Sequence, residues 1–303
     1  MYAIPLAVIH LLALLALAPW FFSWIGVAAA VIGIHVFGQG ITIGYHRLLT
    51  HRSFKTPKWV ERVIVVIAQC CLQDTPARWV ATHRYHHLHS DEQEDPHTPL
   101  VTFLWGHVGW LLVFNERTRH IETYEKYARD ILKDPFYMWL ERTSHLPIIY
   151  AAHAALFYAV GAVIGWFTGG TIMAAVQMGM SLLVWGVLVR TVAVWHITWS
   201  VNSLSHMFGY QNYETGEHSM NNWLVALLTV GEGWHNNHHH DQAAASVQHR
   251  WWEIDISYYE IRLMQLLGLA SNVTPIRAHR EAERQARSGG ATSETAEASA
   301  AEQ

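Results

Sequence analysis

Cysteine is nearly absent from this chain of 303 residues: Cys70 and Cys71 are the only two, and they are adjacent. A disulfide framework and a cysteine-rich iron–sulfur site are therefore excluded, and the pair reads as packing residues. Lysine and arginine are missing from 1–46 and from 143–189. No His-Glu-x-x-His zinc-protease motif occurs. The Glu-x-x-His spacing at Glu232 and His235 falls in a Gly-flanked turn, which is a poor match to the soluble di-iron bundles with their paired carboxylate helices. Internal repeats of roughly 20 to 50 residues are also lacking; the net charge of −4 says little about partners, and no nucleic-acid partner is expected.

Long apolar runs are what the chain has instead. Residues 3–22, 24–45, 146–167 and 171–195 each come close to the ~20 residues that cross ~30 Å of hydrocarbon. These predict an all-α membrane protein with four transmembrane helices in two hairpins. The first run is not a signal peptide, because it has no basic leader and a second run follows directly. Since the basic residues lie outside both hairpins, the positive-inside rule puts the termini and the central segment in the cytoplasm. The expected plan is a membrane domain over 1–275, with a cytoplasmic helical cap at 46–145 and 200–275, and a disordered polar tail at 276–303.

Histidine carries the chemistry. His83, His86 and His87 are spaced i, i+3, i+4, and His235, His238 and His239 repeat that spacing. On a helix such a triplet shares one face, which suits a metal. His46 and His51 form a looser box; at about 140° apart on a regular α-helix they cannot point one way, so the helix is expected to end between them. Asn202 and His206 are four apart and share a helix face just past the last span. His89 and His240 point away from their boxes, His153 and His196 are lone bundle residues, and Arg190 reads as a snorkelling or paired charge. His35, Gln39 and Thr42 continue the line of His46 down the second span, either as interhelical hydrogen-bonding groups or as a polar path to the metal. Nine histidines remain: His46, His51, His83, His86, His87, His206, His235, His238 and His239. Two metals sharing them, with Asn202 beside an open position, is the economical arrangement. Imidazole suits zinc, copper, iron and nickel alike. Asp95 stands equally as a group orienting an imidazole and as a solvated carboxylate. Elsewhere, 100–114 reads as an interfacial helix and 117–142 as a charged cover in which Arg117 and Arg119 face solvent or an anionic head group.

The boxes HRLLTHRS, HRYHH and HNNHH, together with DPH (95–97), HVGWLL (107–112), NSLSH (202–206) and the segment beginning WWEID at 251, resemble the membrane-bound fatty acid desaturases of the acyl-CoA and acyl-lipid Δ9 branch, in their bacterial and plant-type form. The resemblance runs from about residue 33 to 274. It implies that the nine histidines hold two iron ions, with Asn202 acting through a water. It also implies O2-dependent insertion of a cis double bond, most simply at Δ9, into a saturated C16 or C18 chain. Matching by motif, Gln73, Trp79, Thr198 and Trp199 would line a bend in the acyl tunnel. Ile34 and Gly38, the latter about 12 Å down the second span from His46, would limit chain length. The acyl carrier is coenzyme A, acyl carrier protein or a glycerolipid. No His-Pro-Gly-Gly motif of a fused cytochrome b5 is present, so electrons are expected from a separate ferredoxin, rubredoxin or cytochrome b5 with its reductase. The implied location is a bacterial cytoplasmic membrane. Two rivals stand beside this reading, a di-iron hydroxylase of alkyl or lipid chains and a histidine-rich metal-binding protein without catalysis.

Overall fold

The computed structural model of the chain describes residues 2–115 and 120–286. Arg117 and Arg119 of the expected cover, and 287–303 of the expected tail, lie outside the described residues. Those described are helical, with isolated β-bridges such as Lys55 to Ser271 in place of strands.

Among the described residues, three helices are long and apolar enough to cross a membrane: Trp24–Thr50, His145–Gly169 and Ile172–Leu204. The first apolar run is shorter than expected. It is α-helical over Ala3–Ala13 and winds as 3-10 helix over Leu14–Leu17, about 24 Å in all, before Pro19 interrupts it. The hairpins form for local reasons. Gly170 adopts the left-handed conformation (φ 64°) that closes His145–Gly169, and Thr171 then caps the next helix by accepting from Ala174 N at 3.1 Å. A Cβ on Gly165 would stand 2.3 Å from Ala174 O, so only glycine lets the two backbones meet there. Ser23 caps Trp24–Gln39 and its hydroxyl lies 2.7 Å from that of Ser181, tying the two hairpins together at the end remote from the histidines.

Arg190 does not snorkel. It is completely buried, donates from Nη1 to Cys70 O at 2.8 Å, lies 2.9 Å from His153 Nε2 through Nη2, and stacks over Phe37. The lone histidine of the third span is thus its partner. Cys70 and Cys71 are both free and buried, as packing residues should be.

The helices Lys58–Gln69, Pro76–His89, Ile121–Tyr127 and Ile256–Leu266 pack around one core built on Tyr45, Val65, Val80 and Ile261. The 100–114 segment is helical only in part, through a π-wound turn at Trp105–Gly109 and a last turn at Trp110–Leu112. Residues 277–286, expected to be disordered, are helical. Asp241 anchors their start by accepting from Arg277 N and Arg280 Nη2, both at 2.6 Å.

Candidate metal centre

The second span ends at Thr50, between His46 and His51 as expected, but not with a bend that parts the two rings. Its last part is a π-helix over Gly40–Thr50, and His51 N donates to His46 O at 3.1 Å, an i to i+5 bond. In that winding residues five apart fall on the same side of the helix. The spacing that opposes two histidines on an α-helix therefore brings these rings to 4.8 Å. Gly40 and Gly44 permit it, since a Cβ on either would run into the helix Lys58–Gln69 at 2.7 Å.

All nine predicted histidines converge, but not as boxes. His46, His51, His83, His87 and His238 form one group, and His86, His206, His235 and His239 a second. The two triplets are interleaved: each sends its i and i+4 members to one group and its i+3 member to the other. Across the join, His238 Nε2 lies 3.0 Å from both His87 Nε2 and His46 Nε2. In the second group His235 Nε2 is 3.1 Å from His206 Nε2 and from His239 Nε2. The helix that carries Asn202 ends at Leu204 and His206 follows in the turn, so this pair does not share a helix face.

The outer nitrogens explain the inner ones. His46 Nδ1 lies 2.8 Å from Glu232, His86 Nδ1 2.9 Å from Asp95 and His206 Nδ1 2.9 Å from Asp91. A proton held on Nδ1 by a carboxylate leaves a lone pair on Nε2. These lone pairs face one another inside a buried shell, and His51 Nε2 is buried with no partner at all. Burial, then neighbouring imidazoles, holds His51, His83, His87, His235, His238 and His239 well below the ordinary histidine range, in the neutral form that binds metals. Two nitrogens about 2.1 Å from one ion and 90° apart are about 3.0 Å from each other, the separation seen here. The donor set fits metal.

Asp95 is not solvated: it is buried, and although burial raises its carboxyl, His86 and His97 outweigh this and hold it far below the usual range. Sequence reasoning missed Glu232, Asp91 and Glu217, the last 3.5 Å from His239 Nδ1. Glu232 and Asp91 sit within five residues of a box and were visible as charges there; Glu217 gives no such signal. Arg47 was also missed. It is buried, donates to Glu232 Oε1 from Nε (3.0 Å) and Nη2 (2.8 Å), and grips both Asp255 oxygens at 2.9 and 3.0 Å. Burial would raise the Glu232 carboxyl, but Arg47 and then His46 bring it down to about 2. The asparagines inside HNNHH hold that helix: Asn236 Oδ1 accepts from Asn212 N and Tyr213 N, and Asn237 Nδ2 donates to Glu253 at 2.7 Å.

Beside the histidines two cavities of about 200 and 100 Å³ meet, and Trp79, His83, Thr198 and Asn202 line both. The first limb descends along the second span past Thr42, Gly38 and Ile34 to Val31. The second runs past Gln73 and Trp199 to Leu6, Asp74 and Tyr2. At the elbow Gln73 Nε2 donates to Thr198 Oγ1 at 2.9 Å. Of the polar stripe, His35 and Gln39 are engaged by Glu260 at 2.6 and 2.8 Å, so interhelical bonding accounts for them, while Thr42 faces the first limb.

A bent apolar cavity with an interleaved imidazole shell at its elbow suits oxidative chemistry on an unactivated chain, and comparison with known proteins agrees. The fatty acid desaturase family profile matches residues 18–262. The chain is 42% identical to the sn-1 stearoyl-lipid 9-desaturase of Anabaena variabilis, covering 88% of this chain and 90% of that one. It is 40% identical to the sn-2 palmitoyl-lipid 9-desaturase of a Nostoc species, over 88% and 87%, and 40% identical to the acyl-CoA 5-desaturase AL21 of Anemone leveillei, over 87% and 76%. On the motifs, the site and these similarities together, the chain belongs to the fatty acid desaturase family and is an oxidoreductase of that kind.

Proposed function

We propose that this protein introduces a cis double bond at C9 of a saturated C16 or C18 chain esterified in a glycerolipid, using two iron ions, O2 and electrons from a separate carrier such as a ferredoxin, rubredoxin or cytochrome b5. The observation that carries this is the five-and-four division of imidazoles at the elbow of the cavity. One iron falls to His46, His51, His83, His87 and His238. The other falls to His86, His206, His235 and His239, with Asn202, beside His235 on the cavity wall, completing it through a water. Bound iron supplies the reduction of O2 and the removal of two hydrogens from neighbouring methylenes, which redox-inert zinc does not.

The chain's own residues do the rest. Glu232, Asp95 and Asp91 hold the Nδ1 protons and thereby fix which nitrogen each ring turns inward. A methylene chain offers nothing polar to grip, so position is read as distance along a shaped, dry cavity. Gln73 and Thr198 close the elbow, Trp79 and Trp199 form its walls, and Ile34 and Gly38 meet the tail. An added Cβ on Gly38 meets nothing within 4 Å, as expected where a helix faces open cavity.

The glycerolipid is favoured by the lipid substrates in the names of the cyanobacterial relatives and by the second limb, where, among the described residues, Asp74 is the charged lining residue apart from histidine and no lysine or arginine lines the wall. A polyphosphate carrier such as coenzyme A would meet a negative mouth. In the bilayer, the short first helix serves as a fourth crossing, and both termini and the metal site face the cytoplasm of a bacterial inner membrane. Hydroxylation and metal storage are not favoured, because the named relatives are desaturases.

The test is a fatty acid profile, with double bonds located by mass spectrometry, of a desaturase-deficient host expressing the chain with a compatible donor. New cis-Δ9 C16 or C18 acids in glycerolipid are expected; hydroxylated acids, or none from iron-loaded and reducible protein, would overturn the reading.

A further inference from the structure

With the tail seated in the first limb, the ester and whatever carries it lie at the other end, where the second limb stops at Tyr2 and Asp74. That end is one layer of side chains thick. The Tyr2 hydroxyl donates to Asp74, and Arg78, four residues on, stands 3.9 Å from Asp74 Oδ1 and also donates to the Tyr2 hydroxyl. Asp74 belongs to the wall of the limb. Arg78 lines a separate cleft of about 1100 Å³ on the other side.

Besides Arg78 this cleft holds Lys126, Arg129 and Lys133, against Glu122, Glu125 and Glu141. Glu141 is engaged by its own wall, accepting from Ala77 N at 2.8 Å and from the Thr75 hydroxyl. Arg129 and Lys133 are exposed and one helical turn apart. The aspartates beside them in the chain are taken by other cations: Asp130 by Arg52 and Arg84, Asp134 by Lys58 and Arg62. Among the described residues no carboxylate pairs with Arg129 or Lys133. Ile121 and Met138, 69% and 49% exposed, border the same cleft. Cations set among outward apolar side chains suit a membrane surface, where the stems meet lipid and the charges meet head groups.

We infer that this cleft takes the phosphodiester of the substrate lipid: the acyl chain passes the Tyr2 and Asp74 end of the second limb, and the phosphate left outside is held by Arg78, Arg129 and Lys133, so that anionic phospholipid is the preferred substrate class. A guanidinium presents paired N–H donors that match phosphate oxygens, and the ammonium adds a point charge. Covalent structure sets the distance. In a glycerophospholipid the phosphate follows the ester after the glycerol alone, which brings it just past Asp74, whereas acyl-CoA puts a whole pantetheine arm between thioester and phosphate. The carboxylates of Asp74, Glu122 and Glu125 beside these cations also suit a singly charged group better than a polyphosphate. This inference rests on the glycerolipid reading above.

Lipid binding by the full, iron-loaded chain decides it without turnover. Native mass spectrometry from detergent micelles, with dipalmitoyl phosphatidylglycerol and dipalmitoyl monogalactosyldiacylglycerol offered in equal amounts, is expected to show the phospholipid retained about tenfold more. Arg129→Glu with Lys133→Glu is expected to abolish that preference while galactolipid binding and iron content stay at the parent's level, and the milder Arg129→Gln with Lys133→Gln is expected to reduce it. A parent that retains both lipids equally overturns the inference, and so does a preference that survives in both variants. Excess coenzyme A or inorganic phosphate is expected to displace none of the phospholipid; displacement by coenzyme A would assign the cations to a thioester carrier, and displacement by phosphate alone would make the cleft a free-phosphate site, each overturning the lipid assignment. Selective binding in a protein that yields no double bonds in the desaturase-deficient host would sink the functional reading and leave the cleft standing; cis-Δ9 product without selective binding would do the opposite.

Discussion

Gln73 and Thr198 come from segments 125 residues apart and meet at 2.9 Å across the elbow of the cavity. Neither ligates metal; their bond joins the loop before helix Pro76–His89 to helix Arg190–Leu204, where the two limbs meet. Loss of one such hydrogen bond costs about 0.5 to 1.5 kcal/mol. Gln73→Ala and Thr198→Val are each expected to lower desaturation about 2- to 10-fold and to spread double bonds beyond C9, with iron content retained. Product position by mass spectrometry checks this, and a double variant no worse than either single one would show the two acting as a unit.

The interleaving of the triplets gives a prediction about metal count. His238→Ala and His86→Ala are each expected to abolish activity while depleting different irons, so each variant retains about half of the iron of the parent and the double variant almost none. Iron per protein, with Mössbauer spectra to tell the two sites apart, is the readout. Identical spectra in the two single variants would count against the five-and-four division.

Glu232→Gln keeps the shape of the side chain but removes the charge that holds His46 and that Arg47 neutralises. Metal affinity is expected to fall about 10- to 100-fold. The stability of the iron-free protein should change with a definite sign. A carboxyl lowered from 4.5 to about 2 in the folded state contributes stability that is fully present above pH about 4.5 and is lost as pH falls towards 2. The melting temperature of the parent should therefore exceed that of the variant at neutral pH and approach it over that acid window.

Gly38 faces open cavity. A Cβ at this position meets nothing within 4 Å, so Gly38→Phe can turn its ring into the first limb, and is expected to shift the chain-length preference from C18 towards shorter acids while leaving the metal content intact. An unchanged C18 to C16 ratio among the products would remove Gly38 from the tail wall.

Chelation of iron should abolish activity, and reconstitution should restore it with iron but not with zinc, although zinc accepts the same imidazoles. Oxygen uptake with reduced donor measures both arms.

Much of this was legible in the chain because it is written at short range. The apolar runs, the absent basic residues at 1–46 and 143–189 and the histidine spacings are properties of neighbouring residues, and they sufficed for the helical class, the membrane setting and the family. The winding at His46 and His51 was not legible, because a π-helix is stabilised by what packs on it, here the helix Lys58–Gln69 against Gly40 and Gly44. Glu217 was invisible because its reach to His239 is made by tertiary folding alone.

The triplets draw the line between the two. Sequence by itself determined that His83, His86 and His87, and likewise His235, His238 and His239, lie on the inner side of a helix. On such a helix i and i+4 are about 40° apart, while i+3 lies about 60° to the other side of i. Each triplet is therefore a pair and an outlier. Which outlier joins which pair depends on how the helices Pro76–His89 and His235–His240 face each other. Their placement in the fold, with Arg47 of the second span bonded to Glu232 just ahead of His235–His240, delivers His238 to His83 and His87, and His86 to His235 and His239, and so makes two metal sites out of what the sequence presents as two boxes.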